Sequence, residues 1–372
     1  MDIEEQERQS ENSHTLYLTI YNKLKDDIIR GVYPIGSVLP TEMDLTKEFY
    51  VSRTTVQKAM QLLLKEGYIS RTAGRGTFVE KIPIAPQKHT IGLVLCNIAY
   101  SFGLDILTSV EREAAKYGYH VVFENSMDSS QKETQAINDL AAFGAEGIII
   151  QPVHKEYYNE ALIQLHFNKF PIVLVDRFFS GFPIPSISTD NAAAAKAVTN
   201  YLFAHGHDRI TFICSPQQNT SSVQDRIDGF LSAHLEANKP THNSDVLHTI
   251  LSPHLQNNEK MFQQDIETIK RHLLDSPDVT AIISSEFSIT QMIVQAVQQL
   301  GKKIPDDYSL VMFDGYESIY PSIATHVEQD QTEIGRRAVE ILLAQLTGKT
   351  VPIKTHIPFT IVEGNTVRTR ER

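Results

Sequence analysis

Long apolar runs and cysteine are what this sequence has least of. No stretch approaches the roughly 18 consecutive apolar residues of a membrane-spanning helix, and residues 1–14 are polar and acidic, unlike the apolar core of a secretion signal. The only cysteines, Cys96 and Cys214, each stand inside an apolar, strand-like run. Buried free thiols are the ordinary interpretation of such positions, and a disulfide is not expected in a reducing cytosol. We therefore expect a cytoplasmic protein that does not enter a membrane.

Signatures of catalysis, cofactor binding and metal binding are missing as well. The sequence has no P-loop, no Gly-x-Ser-x-Gly elbow, no His-Glu-x-x-His and no Cys-x-x-Cys. Among its 14 histidines, the closest pair is His205-x-His207, which lacks further ligands at zinc spacing. We therefore expect a structural role for His207, and no enzymatic activity, cofactor or metal for the chain.

Charge is modest in amount and uneven in distribution. The 372 residues include 21% charged and 41% hydrophobic residues, which is typical of a globular protein with two or three domains. The net charge of −11 argues against nucleic-acid binding by the chain as a whole. Residues 50–81, however, contain six Lys and Arg but only two Asp and Glu. This positive segment favours contact with nucleic acid, and the acidic remainder opposes non-specific DNA binding.

Residues 39–79 are the most informative stretch. Thr41 can cap a first helix, with Asp44 as its acidic partner three residues later, and Ser52 can cap a second. In the second helix, apolar residues at helical spacing predict one buried stripe, formed by Val56, Ala59, Met60 and Leu63. Segments 68–72 and 77–80 look like strands joined by a tight turn. Together with an earlier helix over 16–30, this pattern predicts a winged helix-turn-helix.

The polar face of the second helix and the wing are the expected DNA contacts. A helix N-terminus with exposed amides and a cation suits a phosphate or a base edge in the major groove. The amide of Gln57 could read an adenine in a bidentate manner. The residues predicted to contact DNA are Thr41, Ser52, Arg53, Thr54, Thr55, Gln57, Arg71, Gly74, Arg75 and Gly76. The alternative is a plain helical core with a hairpin, since a Gly-x-Gly turn alone is usually only a turn.

Short elements recur here in a fixed order: Leu39-Pro40, Glu42, Leu45, Phe49, Val51-Ser52-Arg53, Thr55-Val56, Ala59, Glu66-Gly67, Ile69 and Gly74-x-Gly76-Thr77-Phe78-Val79. This joint pattern resembles the GntR family of bacterial repressors, which implies double-stranded operator DNA as a partner. Two positions depart from it, because Met43 and Gln57 stand where basic residues are frequent in the family. Affinity is therefore expected to depend on Arg53, Arg71 and Arg75.

The domain boundaries follow from composition. Residues 1–15 are rich in Glu, Gln and Ser and predict an unstructured tail, after which the DNA-binding domain occupies 16–82. Residues 83–89 include Pro83 and Pro86 and show no helical period, so we predict a stiff linker. The remaining residues, 90–372, are expected to form a domain of two lobes that binds an effector and dimerises.

From Thr90 the pattern alternates between apolar strands and helices. Continuous apolar runs such as 91–96 and 172–175 are typical of strands that are covered on both faces. One β-α-β-α-β-α-β set ends at residue 175, and a second begins with a helix over 192–204 and a strand over 210–214. We predict an α/β fold with two lobes of doubly wound parallel sheet and a ligand cleft between their strand ends.

Further elements keep a fixed order in this region: Ile91-Gly92-Leu93-Val94, Gly118-Tyr119, Gly147-Ile148-Ile149, Pro171-Ile172-Val173, Val175-Asp176-Arg177, Asp190-Asn191, Gly206-His207-x-Arg209-Ile210, Arg226-x-x-Gly229-Phe230, Ile304-Pro305-Asp306, Phe313-Asp314-Gly315 and Gly335-Arg336-Arg337-Ala338. They resemble the LacI-type effector domain, whose fold is that of periplasmic sugar-binding proteins, over nearly all of 90–368. A GntR head on a LacI-type body is similar to the arrangement of arabinose-responsive repressors. The resemblance implies a monosaccharide effector, either a pentose or a hexose.

Side chains at strand ends are the expected ligand contacts. By position, the polar sugar contacts of the ribose-binding type of this fold correspond to Asp176, Arg177, Arg226, Asp314 and Gln329. Structural roles remain open, since Asp176 and Arg177 could pair with one another or cap a helix. Arg226 is expected where a helix begins, without an obvious partner nearby.

Four further residues are weaker candidates for the same site. Tyr100 and Phe102 follow the first strand, where an aromatic ring could pack on a sugar or simply fill the core. Asp190 lies near an expected crossover between the lobes. Glu286 stands where relatives usually place an amide, so it would require a ligand hydroxyl or amine as its donor.

These observations favour a sugar-responsive repressor that binds a palindromic operator as a homodimer, because each head reads one half-site. Helices near 105–116 and 333–346 are the expected dimer surfaces. The alternative is a sugar-binding protein or small-molecule enzyme with a vestigial DNA-binding head. The uncharged Met43 favours that alternative, whereas the intact turn and wing oppose it.

Overall fold

The computed structural model describes residues 3–80, 89–96, 98, 102–153, 159–179, 181–215, 220–251, 258–315 and 324–371, with side chains from Leu16 onward. The chain divides into two compact units, residues 1–87 and 88–372. Each unit is described by itself below. All but the last residue of the predicted linker, 83–89, lies outside the described residues.

The first unit is a small helical core with a hairpin. Its elements are α1 Ile3–Ile29, α2 Glu42–Phe49, α3 Arg53–Lys65, β1 Ile69–Thr72 and β2 Gly76–Val79. Because α1 begins at Ile3, the prediction of an unstructured tail over 1–15 is wrong for most of that segment. Glu and Gln are good helix formers. A polar segment with no core of its own therefore extends a helix whose later turns are packed through Ile20, Leu24 and Ile28.

Capping side chains position the two helices of the helix-turn-helix. Thr41 accepts a hydrogen bond from the Asp44 amide at 3.2 Å, and the Asp44 carboxylate accepts one from the Thr41 amide at 3.2 Å. Ser52 Oγ accepts from the Thr55 amide at 3.3 Å. Between the helices, Tyr50 adopts a left-handed conformation with φ of 52°, which ends α2. Both predicted caps are confirmed.

The predicted apolar stripe of α3 lies in the core. Val56, Ala59, Met60 and Leu63 are all buried and belong to one cluster with α1 and α2. β1 and β2 pair antiparallel from Ile69↔Val79 to Thr72↔Gly76. The turn between them has positive φ at Gly74 and Gly76, a conformation that glycine adopts most readily. The winged helix-turn-helix is confirmed.

The second unit begins with a first lobe of alternating strands and helices. Its elements in chain order are β3 Thr90–Leu95, α4 Leu104–Lys116, β4 His120–Asn125, α5 Ser130–Phe143, β5 Ile148–Ile150, α6 Glu160–Phe167, β6 Ile172–Val175 and β7 Ser186–Thr189. With the later strand β13, Lys354–Ile357, the strand order in this sheet is β13-β7-β6-β5-β3-β4, and every pair is parallel. The edge strand β13 comes from the C-terminal part of the chain.

The second lobe repeats the arrangement. Its elements are α7 Asn191–Ala204, β8 Ile210–Ile213, α8 Ser221–Glu236, β9 Val246–Leu247, α9 Glu259–Asp275, β10 Ala281–Ser284, α10 Phe287–Gln299, β11 Ser309–Phe313 and β12 Thr325–Gln329, followed by α11 Gln331–Leu346, β13 Lys354–Ile357 and β14 Phe359–Val362. The sheet order is β14-β12-β11-β10-β8-β9, with only β14 antiparallel to its neighbour among the described strands. The predicted two-lobed α/β fold is confirmed, with one antiparallel edge that the pattern did not indicate.

The chain passes between the two lobes at three places. It leaves the first sheet between β7 and α7, returns between β12 and α11, and crosses again between β13 and β14. Helix α11 packs in the core of the first lobe, where Ile334, Ala338 and Leu342 join Ile91 and Val173. Each lobe is therefore assembled from segments that are distant in sequence.

Gly229 allows α8 to approach the start of α7 closely. A Cβ atom at this position would lie 2.1 Å from the Ala192 carbonyl oxygen, so a backbone shift would be needed to accommodate it. We expect Gly229→Ala to lower the free energy of unfolding by about 1–3 kcal/mol, the usual cost of overpacking. Urea unfolding measures the change. Ser232→Ala in the same helix is the control and should cost less than about 0.5 kcal/mol. Equal stability of the two variants would contradict the close approach.

Candidate functional site

The first unit gathers most predicted DNA contacts on its surface. Exposed positions from the first turn of α3, the start of α2 and the wing are Thr41, Ser52, Arg53, Thr54, Arg71, Gly74, Arg75 and Gly76. Gln57 is half-buried. Thr55 is the exception, because it is only 6% exposed and its hydroxyl lies 2.7 Å from Ser52 Oγ. The prediction of a DNA contact from the Thr55 side chain is therefore corrected to a role in packing the turn.

Glu42 contacts three of the side chains that are predicted to bind DNA. Its carboxylate accepts a hydrogen bond from Gln57 Nε2 at 3.0 Å and another from Arg71 Nη2 at 2.7 Å, and Arg53 Nε lies 3.5 Å away. Gln57 and Arg53 belong to α3, whereas Arg71 belongs to the wing. Burial opposes ionisation of Glu42, but the Gln57 hydrogen bond and the two guanidinium groups outweigh it and lower the pKa of Glu42. One carboxylate thus orients side chains from two separate elements.

This network leads to a prediction about DNA discrimination. In Glu42→Ala, the side chains of Arg53, Gln57 and Arg71 lose their common acceptor, and a negative charge beside the DNA surface disappears. We expect affinity for scrambled DNA to rise or stay constant, while the ratio of operator to scrambled affinity falls about tenfold, or roughly 1.4 kcal/mol. Fluorescence anisotropy with both duplexes measures this ratio. Glu48→Ala removes an exposed carboxylate from the same helix, and an equal fall there would show that charge alone is responsible.

The second unit contains a cavity of about 120 Å³ at the carboxyl ends of its strands. The predicted ligand contacts that line it are Phe102, Asp176, Arg177, Arg226, Glu286, Asp314 and Gln329. Asp190 is not among the lining residues, because it caps α7 by accepting a hydrogen bond from the Ala193 amide at 3.0 Å. Tyr100 lies outside the described residues. Residues that were predicted from their positions at strand ends in both lobes therefore lie around a single cavity.

Asp176 and Arg177 are held side by side at the end of β6. The Asp176 carboxylate accepts from Gln151 Nε2 at 3.0 Å and lies 3.5 Å from Arg177 Nε. Arg177 Nη1 donates to the carbonyl oxygens of Pro152 and Val153, each at 2.7 Å. The pairing that sequence left open is present, yet both residues also line the cavity. Asp176 has a φ of 65°, a left-handed conformation that Asp tolerates better than most residues.

Arg226 lies within α8 rather than at its start, and it has partners. Its Nε donates to Asn191 Oδ1 at 2.7 Å, and its Nη1 donates to the Ser285 carbonyl oxygen at 2.5 Å. The guanidinium carbon lies 4.0 Å from the centroid of the Phe313 ring, so cation–π stacking adds to these bonds. Both expectations about Arg226 are corrected. The polar run 221–225, which looks like a loop in sequence, forms the first turn of the helix.

Two carboxyl groups in the cavity have pKa values that are raised to near neutral pH. Burial raises the pKa of Glu286 to about 7, although the positive charges of Arg226 and Arg177 act in the opposite direction. Burial likewise raises the pKa of Asp314 to about 6, opposed by Arg226 and by the hydrogen bond that Gln329 Nε2 donates to Asp314. Both carboxyl groups are therefore protonated at a higher pH than exposed Glu and Asp side chains.

Three buried polar atoms in the lining have no hydrogen-bond partner among the described residues. They are Arg177 Nε, Ser285 Oγ and Gln329 Oε1. Arg177 Nε can only donate, Gln329 Oε1 can only accept, and Ser285 Oγ can do both. Burying such atoms without partners costs free energy. A ligand with several hydroxyl groups satisfies all three, since each hydroxyl both donates and accepts.

Some residues that line the cavity were not predicted from the sequence. They are Cys96, Asp128, Gln151, Ser215, Thr220, Ser222, Val223, Ser285, Phe287 and Ser288. Gln151 directly follows the apolar strand β5, so the rule that identified Asp176 after β6 would have identified it too. Cys96 is a buried free thiol, as predicted, and burial raises its pKa to about 12. Cys214 is also free and buried.

In the part of the chain that the structure describes, no group of three or more His, Cys, Asp or Glu side chains is placed to hold a metal ion. His207 instead bonds to Thr280 Oγ1 and the Arg368 carbonyl oxygen, both at 2.9 Å, which is the structural role expected for it. Over the same residues, no helix has the length and apolar character required to cross a bilayer.

Comparison with known families identifies both units. Residues 16–79 match the model of bacterial regulatory proteins of the gntR family, and residues 199–367 match the periplasmic binding protein-like domain. The chain therefore combines a GntR-type helix-turn-helix domain with a periplasmic-binding-protein-like domain. Relatives with similar sequences are named as transcriptional repressors, and the resemblances stated from sequence are confirmed.

Individual relatives match this chain along most of their own length. The arabinose metabolism transcriptional repressor of Geobacillus stearothermophilus is 24% identical, over 90% of this chain and 92% of its own. The ribose operon repressor of Halalkalibacterium halodurans is 26% identical, over 89% of this chain and 98% of its own. A LacI family transcriptional regulator from Enterococcus faecium, solved with bound ribose, superimposes with a TM-score of 0.60 at 21% identity, over 76% of this chain and all of its own. This last likeness concerns the fold.

Proposed function

We propose that this protein is a cytoplasmic, sugar-responsive transcriptional repressor. The first unit binds one half-site of a palindromic operator, and a monosaccharide in the cavity of the second unit changes operator affinity. One observation carries the proposal. A cavity at the strand ends of both lobes combines the buried Arg226, the half-buried Arg177, several carboxyl groups and unpartnered polar atoms, in a chain that also has a DNA-binding head. Such a set of donors and acceptors suits a polyhydroxylated ligand.

A palindromic operator requires two heads, so the active species is a homodimer. Helices α4 and α11 are the proposed dimer surface. They pack on one another where Ser109 Oγ donates to the Thr332 carbonyl oxygen at 2.6 Å. Close contact at this point depends on Gly335, whose Cβ would lie 2.8 Å from the Ile106 carbonyl oxygen. The exposed Leu104 and Tyr117 at the two ends of α4 provide apolar surface for a second copy.

Ligand binding is coupled to DNA binding through the arrangement of the two lobes. A sugar that contacts Arg177 and Asp176 in one lobe and Arg226 and Asp314 in the other favours a closed cleft. Closure changes the relation between the two subunits and thus the spacing of their heads. Relatives named for arabinose and ribose operons support a pentose or a related monosaccharide as the class of effector.

The test is a gel-shift titration of the protein on the promoter region of its own gene, with and without pentoses and hexoses. We expect a specific shift that at least one sugar alters. Sugar binding is measured separately by thermal shift, because a ligand of the native state raises the unfolding temperature. A protein that shifts no promoter DNA at any sugar concentration would contradict the proposal.

Two observations favour a second candidate, a sugar-binding protein with a vestigial head. Met43 is 68% exposed at a place where a cation would strengthen DNA affinity, and Glu42 already occupies Arg53 and Arg71. Under this candidate, thermal shift detects a sugar while the promoter region is bound no more tightly than scrambled DNA. Both candidates predict sugar binding, so only the measurement of promoter binding distinguishes them.

A further inference from the structure

We propose that the ligand of the cavity carries a protonated amino group, so that the effector is an amino sugar rather than an unmodified or phosphorylated one. This inference rests on the proposed function of the cavity as the effector site. It concerns the end of the cavity formed by Glu286, Asp314 and Gln329, which is called the acceptor end below. The first of these precedes α10, the second follows β11, and the third ends β12.

The acceptor end offers oxygen atoms that require donors. Gln329 is 7% exposed, and its Oε1 has no hydrogen-bond partner within the described residues. Its Nε2 is already used, because it donates to Asp314. Glu286 and Asp314 add carboxyl oxygens, and neither forms an ion pair with a Lys, Arg or His side chain that the structure describes. An ammonium group has three donors and no acceptor, whereas a hydroxyl has a single donor.

The arginines of the cavity form no ion pair with this end, although the charge of Arg226 lowers the pKa of both carboxyl groups. Arg226 directs its Nε to Asn191 and its Nη1 to the Ser285 carbonyl oxygen, and Arg177 directs its Nη1 to two backbone carbonyl oxygens. Their charges reach Glu286 and Asp314 through space only. Among the lining residues, the carboxyl groups of Asp128, Asp176, Glu286 and Asp314 outnumber the two guanidinium groups. A phosphorylated sugar would bring negative charge to a site with more carboxyl than guanidinium groups.

Carboxyl groups repel one another here, which an ammonium would relieve. Burial raises the pKa of Glu286 and that of Asp314, and Arg226 lowers both. To a smaller extent, Asp128 raises the pKa of Glu286, and Asp176 and Glu286 raise that of Asp314. A neutral polyol leaves this repulsion in place when the cleft excludes water. A cation placed between the carboxylates replaces repulsion by attraction, and the buried geometry increases its magnitude.

The backbone holds the carboxyl groups in position before any ligand binds. Asp128, Asp176 and Asp314 have φ values of 54°, 65° and 64°, in the left-handed region. Such conformations cost free energy and are frequent at ligand-binding sites. Ser285, which is 1% exposed, adds an unpartnered hydroxyl beside Glu286. The surplus of acceptors is therefore built into the chain rather than created by mobile surface residues.

The experiment compares matched ligands by isothermal titration calorimetry at pH 7 with the full-length protein. Each set contains a neutral hexose, its 2-amino or 6-amino derivative, the N-acetylated amine and the sugar phosphate, for glucose, galactose and mannose; ribose and arabinose are included as neutral pentoses. We expect at least one amino sugar to bind tenfold or more tightly than its neutral parent and its N-acetyl derivative, with no binding of the phosphates. Acetylation removes the charge, so its effect separates charge from shape.

Two variants locate the effect. Glu286→Gln and Asp314→Asn should each reduce the preference for the amine to threefold or less, while Glu328→Gln, an exposed carboxylate on β12, should retain it. Thermal unfolding of each variant checks that the fold is intact. If neutral sugars bind as tightly as their amino derivatives or more tightly, the inference is overturned and the proposed function stands. If no sugar of any kind binds, the proposed function fails as well.

Discussion

Arg53→Ala abolishes specific operator binding while sugar binding remains unchanged. Arg53 occupies the first turn of α3, and 75% of its side chain is exposed. A side chain in this place can contact a base edge or a phosphate, which is worth about 1–3 kcal/mol for each contact. A palindrome contains the contact twice, so the loss is about 2–6 kcal/mol, or on the order of 30-fold to 10⁴-fold in affinity.

Anisotropy titrations of the operator at two salt concentrations measure this loss. Lys65→Ala removes the same charge from the last turn of α3 and is the matched control. If both variants lose affinity equally, the effect is a general electrostatic one and Arg53 does not read the operator. If neither loses affinity, the helix-turn-helix is not the DNA-binding surface, and the vestigial-head candidate gains support.

Arg226→Lys prevents sugar binding although it keeps the positive charge. The guanidinium of Arg226 bonds to Asn191 and to the Ser285 carbonyl oxygen in different directions and stacks on Phe313. An ammonium cannot reproduce this fork geometry. Disrupting a buried, hydrogen-bonded charge costs about 2–5 kcal/mol, so we expect sugar affinity to fall by about 30-fold or more.

Calorimetry with the sugar that alters the gel shift measures this change. Arg271→Lys, at an exposed position of α9, is the control for the same substitution and should bind the sugar normally. Operator binding without sugar should persist in Arg226→Lys, because Arg226 belongs to the second unit. Normal sugar affinity in this variant would mean that the ligand binds outside the cavity.

The parts of the fold that could be predicted are those with a local physical cause. Capping residues such as Thr41 and Ser52 act on neighbouring amides, and the stripe of α3 follows from helical spacing alone. β13 and β9 were not named because their residues, Lys354–Ile357 and Val246–Leu247, form no apolar run. Their strand conformation depends on pairing with distant segments. The start of α1 was missed for a similar reason, since a polar helix extension depends on the packed turns that follow it.

The same distinction between local causes and contacts with distant segments applies to the site residues. Asp176 and Asp314 were predicted because each follows an apolar strand, where parallel sheets place their ligand contacts. Gln329 ends β12, which is not an apolar run, and its prediction depended on the resemblance. Ser285 and Asp128 were missed, since small polar residues are common in every loop. Arg226 was found, but its partners Asn191 and Ser285 come from separate segments that meet only in the folded lobe. Asp190 stands at a crossover as expected, yet its carboxylate is used by the α7 amides.

The route of the chain between the lobes has a consequence for biosynthesis. The head uses only residues up to about 80 for its core, whereas the first-lobe sheet is complete only when β13 is added after the whole second-lobe sheet up to β12. During translation, the DNA-binding part can therefore fold well before the sensing part has its edge strand or helix α11. A nascent or prematurely terminated chain would therefore carry a folded head without a complete first-lobe sheet.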